Sequence, residues 1–72
     1  MESIEKKFLE TLFEKKLQTT IFLTCNVKLQ GIIKALDENT ILFEHEGRLQ
    51  LIYKHAISTV SAGTALKEDD IV

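Results

Sequence analysis

Apolar residues at Ile4, Phe8, Leu9, Leu12 and Phe13 recur at the three-to-four spacing that lines them along one stripe of a helix. The spacing predicts a helix over residues 3–16. Ser3 is placed to cap it, Glu2 and Glu5 lie near the positive end of its dipole, and Lys15 and Lys16 lie near the negative end. After Leu17 the period drops to two. Ile21, Leu23 and Cys25 alternate with Thr20, Phe22 and Thr24, which predicts a strand over 18–25. Cys25-Asn26 then makes a tight connection, with Asn26 able to take a positive φ. A longer strand is expected over 27–36, with Val27, Leu29, Ile33 and Ala35 on one face and Gly31 marking a bulge or a sharp bend. Turns at Asp37–Asn39 and around Gly47 separate further strands at 40–45 and 48–53. Lys54-His55 is the corner before a last strand at 56–61. The class predicted is mainly β: an N-terminal helix followed by a strongly bent five-stranded antiparallel sheet or partly open barrel. Residues 62–72 carry no periodicity and read as a short, mobile, acidic tail.

At 72 residues the chain supports one domain, over 1–61. Domains of this size bury only about 60% of the surface their unfolded chain exposes, so the core needs reinforcement. A disulfide within the chain is excluded, because Cys25 is the only cysteine. No metal-ligand spacing and no cofactor motif is present, and no apolar run approaches the ~20 residues of a membrane span. These features lead to the expectation of a soluble protein without cofactor or leader in a reducing cytoplasm. Self-association is the reinforcement that remains. The strands at 48–53 and 56–61 carry little charge and no proline, so as sheet edges they invite pairing with another copy. Such a contact joins two different surfaces and must close into a ring to remain soluble.

Charge alters this picture only through its placement. Nine basic residues face eleven acidic ones. The tail holds Lys67 against Glu68, Asp69 and Asp70, which accounts for the whole net charge of −2 and leaves the body neutral. Net charge therefore neither supports nor excludes a nucleic-acid partner. Catalysis is not expected. Cys25, His45, His55 and Asp37 supply reactive atoms but form no catalytic motif, and a chain this short has little room for a substrate cavity. The run Tyr53-Lys54-His55 stands out at the mouth of a strand. By residue type alone it admits an interface tyrosine, a solvated lysine and a turn histidine; His45 reads as simply exposed, and Phe22 alternates away from the face of Ile21 and Leu23.

The run Tyr53 to Ile57, the segment Glu46 to Ile52 before it, and the central stretch Val27 to Glu44 resemble the Hfq family, the bacterial branch of the Sm and Sm-like RNA-binding proteins. The likeness extends from Phe8 to Val60 and is similar in style to Gram-positive versions. It implies an Sm-like, SH3-like open barrel that closes into a homohexameric ring by pairing fourth to fifth strands. Such rings are RNA chaperones that bind single-stranded RNA and bring small regulatory RNA and mRNA together, with RNA-processing proteins as further partners. At the pore on the proximal face, the resemblance implies U-rich RNA contacts from Glu5, Glu38, Asn39, Tyr53, Lys54 and His55. On the distal face it implies A-rich RNA contacts. There Phe22 stacks a purine, Gln30 and Gln50 read base edges, Lys28 meets phosphate, and Leu23, Asn26, Val27, Leu29 and Thr59 form the surrounding pocket. Lys15 and Lys16 fall at the rim.

The departures from that pattern are specific. Asn39 stands where the family carries an aromatic for the uracil, and Glu5, an acceptor-only side chain, stands where a glutamine reads it. Phe13-Glu14-Lys15-Lys16 replaces an arginine-rich rim, and Cys25-Asn26 replaces an Asn-Gly turn. The expectation is a ring whose grip on uridine and annealing activity are weak beside its adenine-rich binding. The competing reading keeps the ring but makes it chiefly a protein-interaction adaptor.

Overall fold

Ser3 opens the helix as its residue type predicts: its Oγ accepts a hydrogen bond from the Lys6 N–H at 3.0 Å. The computed structural model describes residues 3–72, so the dipole role expected of Glu2 lies outside the described residues. Helix α1 spans Ile4–Lys15 and ends at Lys16, whose left-handed backbone (φ 51, ψ 47) turns its N–H onto the carbonyls of Leu12 and Phe13. Leu9 and Leu12 are buried, with Phe8 and Phe13 packed beside them. Ile4, assigned by periodicity to the same stripe, is 68% exposed, because the first turn borders an open cleft between helix and sheet instead of a packed layer.

Five strands follow: β1 Thr19–Leu23, β2 Lys28–Leu36, β3 Thr40–His45, β4 Arg48–Tyr53 and β5 Ile57–Ala62, with a 3-10 turn over Lys54–Ala56 as the corner before β5. All neighbours are antiparallel in the order β4-β3-β2-β1-β5, so β4 and β5 are the two edges, as their composition suggests. The bounds of β3 and β4 coincide with those predicted. Strand β1 is shorter, because Thr24 and Cys25 join the turn, where the Leu23 N–H donates to the Val27 carbonyl at 2.8 Å and Asn26 takes φ 68.

The bend lies in β2. Its first part, Lys28–Gly31, pairs with β1, and its second, Ile32–Leu36, pairs with β3. Gly31 stands at the handover, which fits the predicted bend. The bulge itself is displaced from Gly31, since the register slips between Ile33 and Ala35. That extra residue inverts the alternation. Ala35, expected inward with Ile33, is exposed, and Leu36 turns toward the core instead.

Leu9, Leu12, Ile21, Ile33, Ile41, Phe43 and Ile52 make the core. Among the described residues Thr19 is the buried polar one, and its hydroxyl donates to the Leu17 carbonyl at 3.0 Å. The predicted patternless tail is instead folded against the body. Strand β5 extends through Ala62, Leu66 packs on the core, and Glu68–Asp70 form a 3-10 turn in which Asp70 accepts from the Lys67 N–H at 3.0 Å. One apolar side chain and one capping carboxylate create these contacts, too sparse a signal for periodicity to register. No described helix is long and apolar enough to cross a membrane.

Candidate nucleic-acid interface

The β4–β5 corner is held in place by the turn before β3. Asp37 Oδ1 accepts from the Asn39 N–H at 2.9 Å, the Thr40 N–H at 2.9 Å and the Thr40 hydroxyl at 2.8 Å. The turn then offers the Asn39 carbonyl to the Lys54 N–H at 2.8 Å. Those hydrogen bonds, the Asn39 N–H foremost and the Thr40 hydroxyl next, hold the Asp37 carboxyl below its ordinary pKa, with the Lys54 charge adding to the effect. A lowered pKa stabilises the fold at pH above the usual carboxylate range, and that contribution is lost as the pH falls through the lowered value. Asp37→Ala is therefore expected to lower the melting temperature by several degrees at pH 7, with the deficit shrinking in acid. Thermal melts of both proteins from pH 7 downward check this; a deficit independent of pH would show that the charge on Asp37 is irrelevant.

Around that corner the structure brings most of the predicted pore residues together. Tyr53 and His55 are exposed, their ring centroids 5.8 Å apart with planes tilted by 31°. Lys54 reaches the helix start, where its Nζ lies 3.7 Å from Glu5 Oε2. Glu5, Glu38 and Lys54 line one groove of about 650 Å³ between α1 and the Asp37 turn, with Phe13 and Leu36 also in its wall. The groove is acidic, since Glu10, Glu14 and Asp37 line it too and Lys6 is the only further cation among the described residues. Asn39, predicted to line the pore, contributes its backbone carbonyl to the corner.

The predicted distal residues divide between the two faces of the sheet. Phe22 pairs with Lys28 on β2 and with Thr59 on β5, and Thr20 pairs with Gln30, so these side chains share one outward face. Phe22 is 37% exposed there, and Lys28, Gln30 and Thr59 are exposed beside it. Leu23 and Leu29 pack instead against the core. Asn26 and Val27 are exposed at the β1–β2 turn, and Gln50 sits on β4, paired with Phe43, strands away from Phe22 within one chain.

Residue type alone missed His45. It is half-buried, and its Nδ1 lies 2.8 Å from the Gln30 carbonyl. A carbonyl only accepts, so Nδ1 carries the proton and ties the end of β3 to the strand that presents Gln30. At the end of α1, Lys15 Nζ lies 3.5 Å from Asp70 Oδ1, so the tail offsets one of the two charges predicted for a rim, while Lys16 is exposed at the helix cap. The Asp70 carboxyl is held below its usual pKa chiefly by the Lys67 N–H.

Comparison with known proteins returns one consistent relationship. Residues 4–67 match the family model described as "Hfq protein". The "RNA-binding protein Hfq" of an Exiguobacterium species (strain AT1b) is 44% identical over 72 residues, spanning 97% of this chain and 88% of that protein. The protein of the same name from Oceanobacillus iheyensis is 44% identical over 59 residues, 82% of this chain and 80% of the relative. That of Bartonella bacilliformis is 41% identical over 66 residues, 92% and 84% respectively. A crystal structure described as the pleiotropic translational regulator Hfq superposes with a TM-score of 0.80 at 32% identity, covering 82% of this chain and 98% of that one. With its helix-first five-stranded sheet and a family match over most of its length, the chain belongs to the Hfq family.

Proposed function

We propose that this chain is a non-enzymatic RNA chaperone that closes into a homohexameric ring and holds single-stranded RNA on two faces. A-rich RNA lies across the outward face of β1, β2 and β5, and U-rich RNA binds more weakly at the Tyr53-Lys54-His55 corner. Bringing a small regulatory RNA and an mRNA onto one ring promotes their pairing. The observation that carries this reading is Phe22, an aromatic ring left exposed between Lys28 and Thr59 on a sheet face. Such a ring is a platform for any base, with a cation beside it for phosphate and Gln30 for base edges. The edge strands support assembly: Leu49 and Leu51 on β4 are 63% and 55% exposed, a strip suited to burial by β5 of a neighbouring copy. A ring repeats each weak site at high effective concentration.

One observation favours a second reading for the pore side alone. Its groove carries more carboxylates than ammonium groups, which suits a protein adaptor better than an RNA grip. Titrating labelled oligo-A and oligo-U separately over a range of salt, with light scattering on the same samples, tests both. The chaperone ring is expected to scatter as a hexamer and to bind oligo-A more tightly than oligo-U. Its oligo-A affinity should fall with a log–log salt slope of about −0.7 per phosphate engaged. A stable folded monomer, or oligo-A binding indifferent to salt, overturns it.

A further inference from the structure

Lys54 is the cation that the corner offers to RNA, yet it is already engaged. Its Nζ lies 3.7 Å from Glu5 Oε2, with the Lys54 side chain only 20% exposed and that of Glu5 71% exposed. The pair joins the first turn of α1 to the 3-10 turn between β4 and β5. Glu5 is held at this position by the helix itself, whose Ser3-capped N-terminus favours a carboxylate in its first turn. Across the same groove the Asp37 carboxylate also feels the Lys54 charge.

Carboxylate and phosphate oxygens are equivalent partners for an ammonium group. A phosphate can take Lys54 only by displacing Glu5, whose charge is then left bare beside the phosphate. We propose that Glu5 is a built-in competitor for RNA phosphate at Lys54, which holds the pore side in a low-affinity state without touching the outward sheet face. The inference rests on the two-faced RNA binding proposed above. It assigns the weakness of the pore to a charge that can be removed, separately from the missing aromatic at Asn39.

Charge accounting gives the effect a signature. When one phosphate replaces Glu5 on Lys54, the freed carboxylate recruits a cation and cancels the counterion that the phosphate releases. Affinity at that contact is then nearly independent of salt. With Glu5 neutralised, each engaged Lys54 contributes about 0.7 to the log–log salt slope. An ion pair of this exposure corresponds to roughly two- to fivefold in affinity per copy, and an oligonucleotide spanning several copies multiplies it.

The test is an anisotropy titration of labelled oligo-U and oligo-A with the wild-type protein, Glu5→Ala, Lys54→Ala, the double variant, and Glu10→Gln. The last removes a carboxylate from the same groove without an ion pair to Lys54. Glu5→Ala, which removes the charge and supplies no group to read a base, is expected to tighten oligo-U at least about tenfold and steepen its salt slope. Oligo-A affinity, the internal control for folding and assembly, should not change. The gain should vanish in the double variant, and Glu10→Gln should change oligo-U less than about twofold. A gain that survives Lys54→Ala, or an equal gain from Glu10→Gln, overturns the proposal in favour of plain repulsion between the groove and RNA. Unchanged oligo-U binding by Glu5→Ala, with oligo-A still bound, overturns it while the chaperone function stands. If no variant binds either RNA, the function fails and this inference with it.

Discussion

Gly31→Ala is expected to lower the melting temperature by more than about 12 °C, corresponding to roughly 3 kcal/mol or more for a domain of this size. A Cβ at Gly31 would lie 1.9 Å from the Glu44 carbonyl oxygen, 2.9 Å from its carbon and 3.1 Å from Phe43 Cε2. The obstacle is backbone of the adjacent strand, so no rotamer change relieves it. Moving β3 away would disturb Phe43, which is fully buried, and the handover by which β2 passes from β1 to β3. A chain this short has a total stability of roughly 4–11 kcal/mol, so one methyl removes a large share of it. Gly63→Ala is the control, since a Cβ there meets nothing within 4 Å, and it should change stability by less than about 0.5 kcal/mol. Chemical denaturation of both variants, followed by circular dichroism, measures the difference. A Gly31→Ala protein as stable as the Gly63→Ala protein would show that the close approach of β2 and β3 is not a constraint.

What the sequence disclosed divides along the range of the interactions involved. The helix and the strands β3 and β4 were legible because local chemistry fixes their ends. Ser3 caps the helix, Asp37 Oδ1 closes the turn before β3, and Glu46 and Gly47 take φ 51 and φ 78 in the two-residue hairpin between β3 and β4. Gly31 was visible as a special position, but its reason, the carbonyl of Glu44, belongs to a strand paired from elsewhere in the chain. The bulge after Ile33 escaped for the same cause, and Ala35 was consequently assigned to the wrong face. The site shows the same division. The outward alternation of Phe22 could be read from its neighbours, whereas the Glu5–Lys54 pair and the His45 contact with Gln30 join residues that only the folded sheet brings together. Of the residues assigned by resemblance, Leu23 and Leu29 face the core within one chain, and Gln50 stands apart from Phe22.

Phe22→Ala is expected to weaken oligo-A binding at least about tenfold while leaving oligo-U affinity unchanged. Stacking of a base on an aromatic side chain corresponds to about 1–3 kcal/mol per base, and the repeated sites of a ring compound the loss. The substitution separates function from folding cleanly. The ring of Phe22 lies on the outward face, away from Ile21, Leu29 and Val60, which pair across the core side of the same strands. The Ser58 hydroxyl donates to the Phe22 backbone carbonyl at 3.2 Å, a contact that alanine retains. Phe22→Tyr keeps a stacking surface and should bind oligo-A within about threefold of the wild type, whereas Phe22→Leu keeps apolar area without a π-face and should behave like alanine. That contrast distinguishes base stacking from mere hydrophobic contact. The three variants, titrated with both oligonucleotides beside a melting curve for each, give the answer: equal oligo-A affinity for leucine and tyrosine would remove the base platform from this face and, with it, the observation on which the proposed RNA binding chiefly rests.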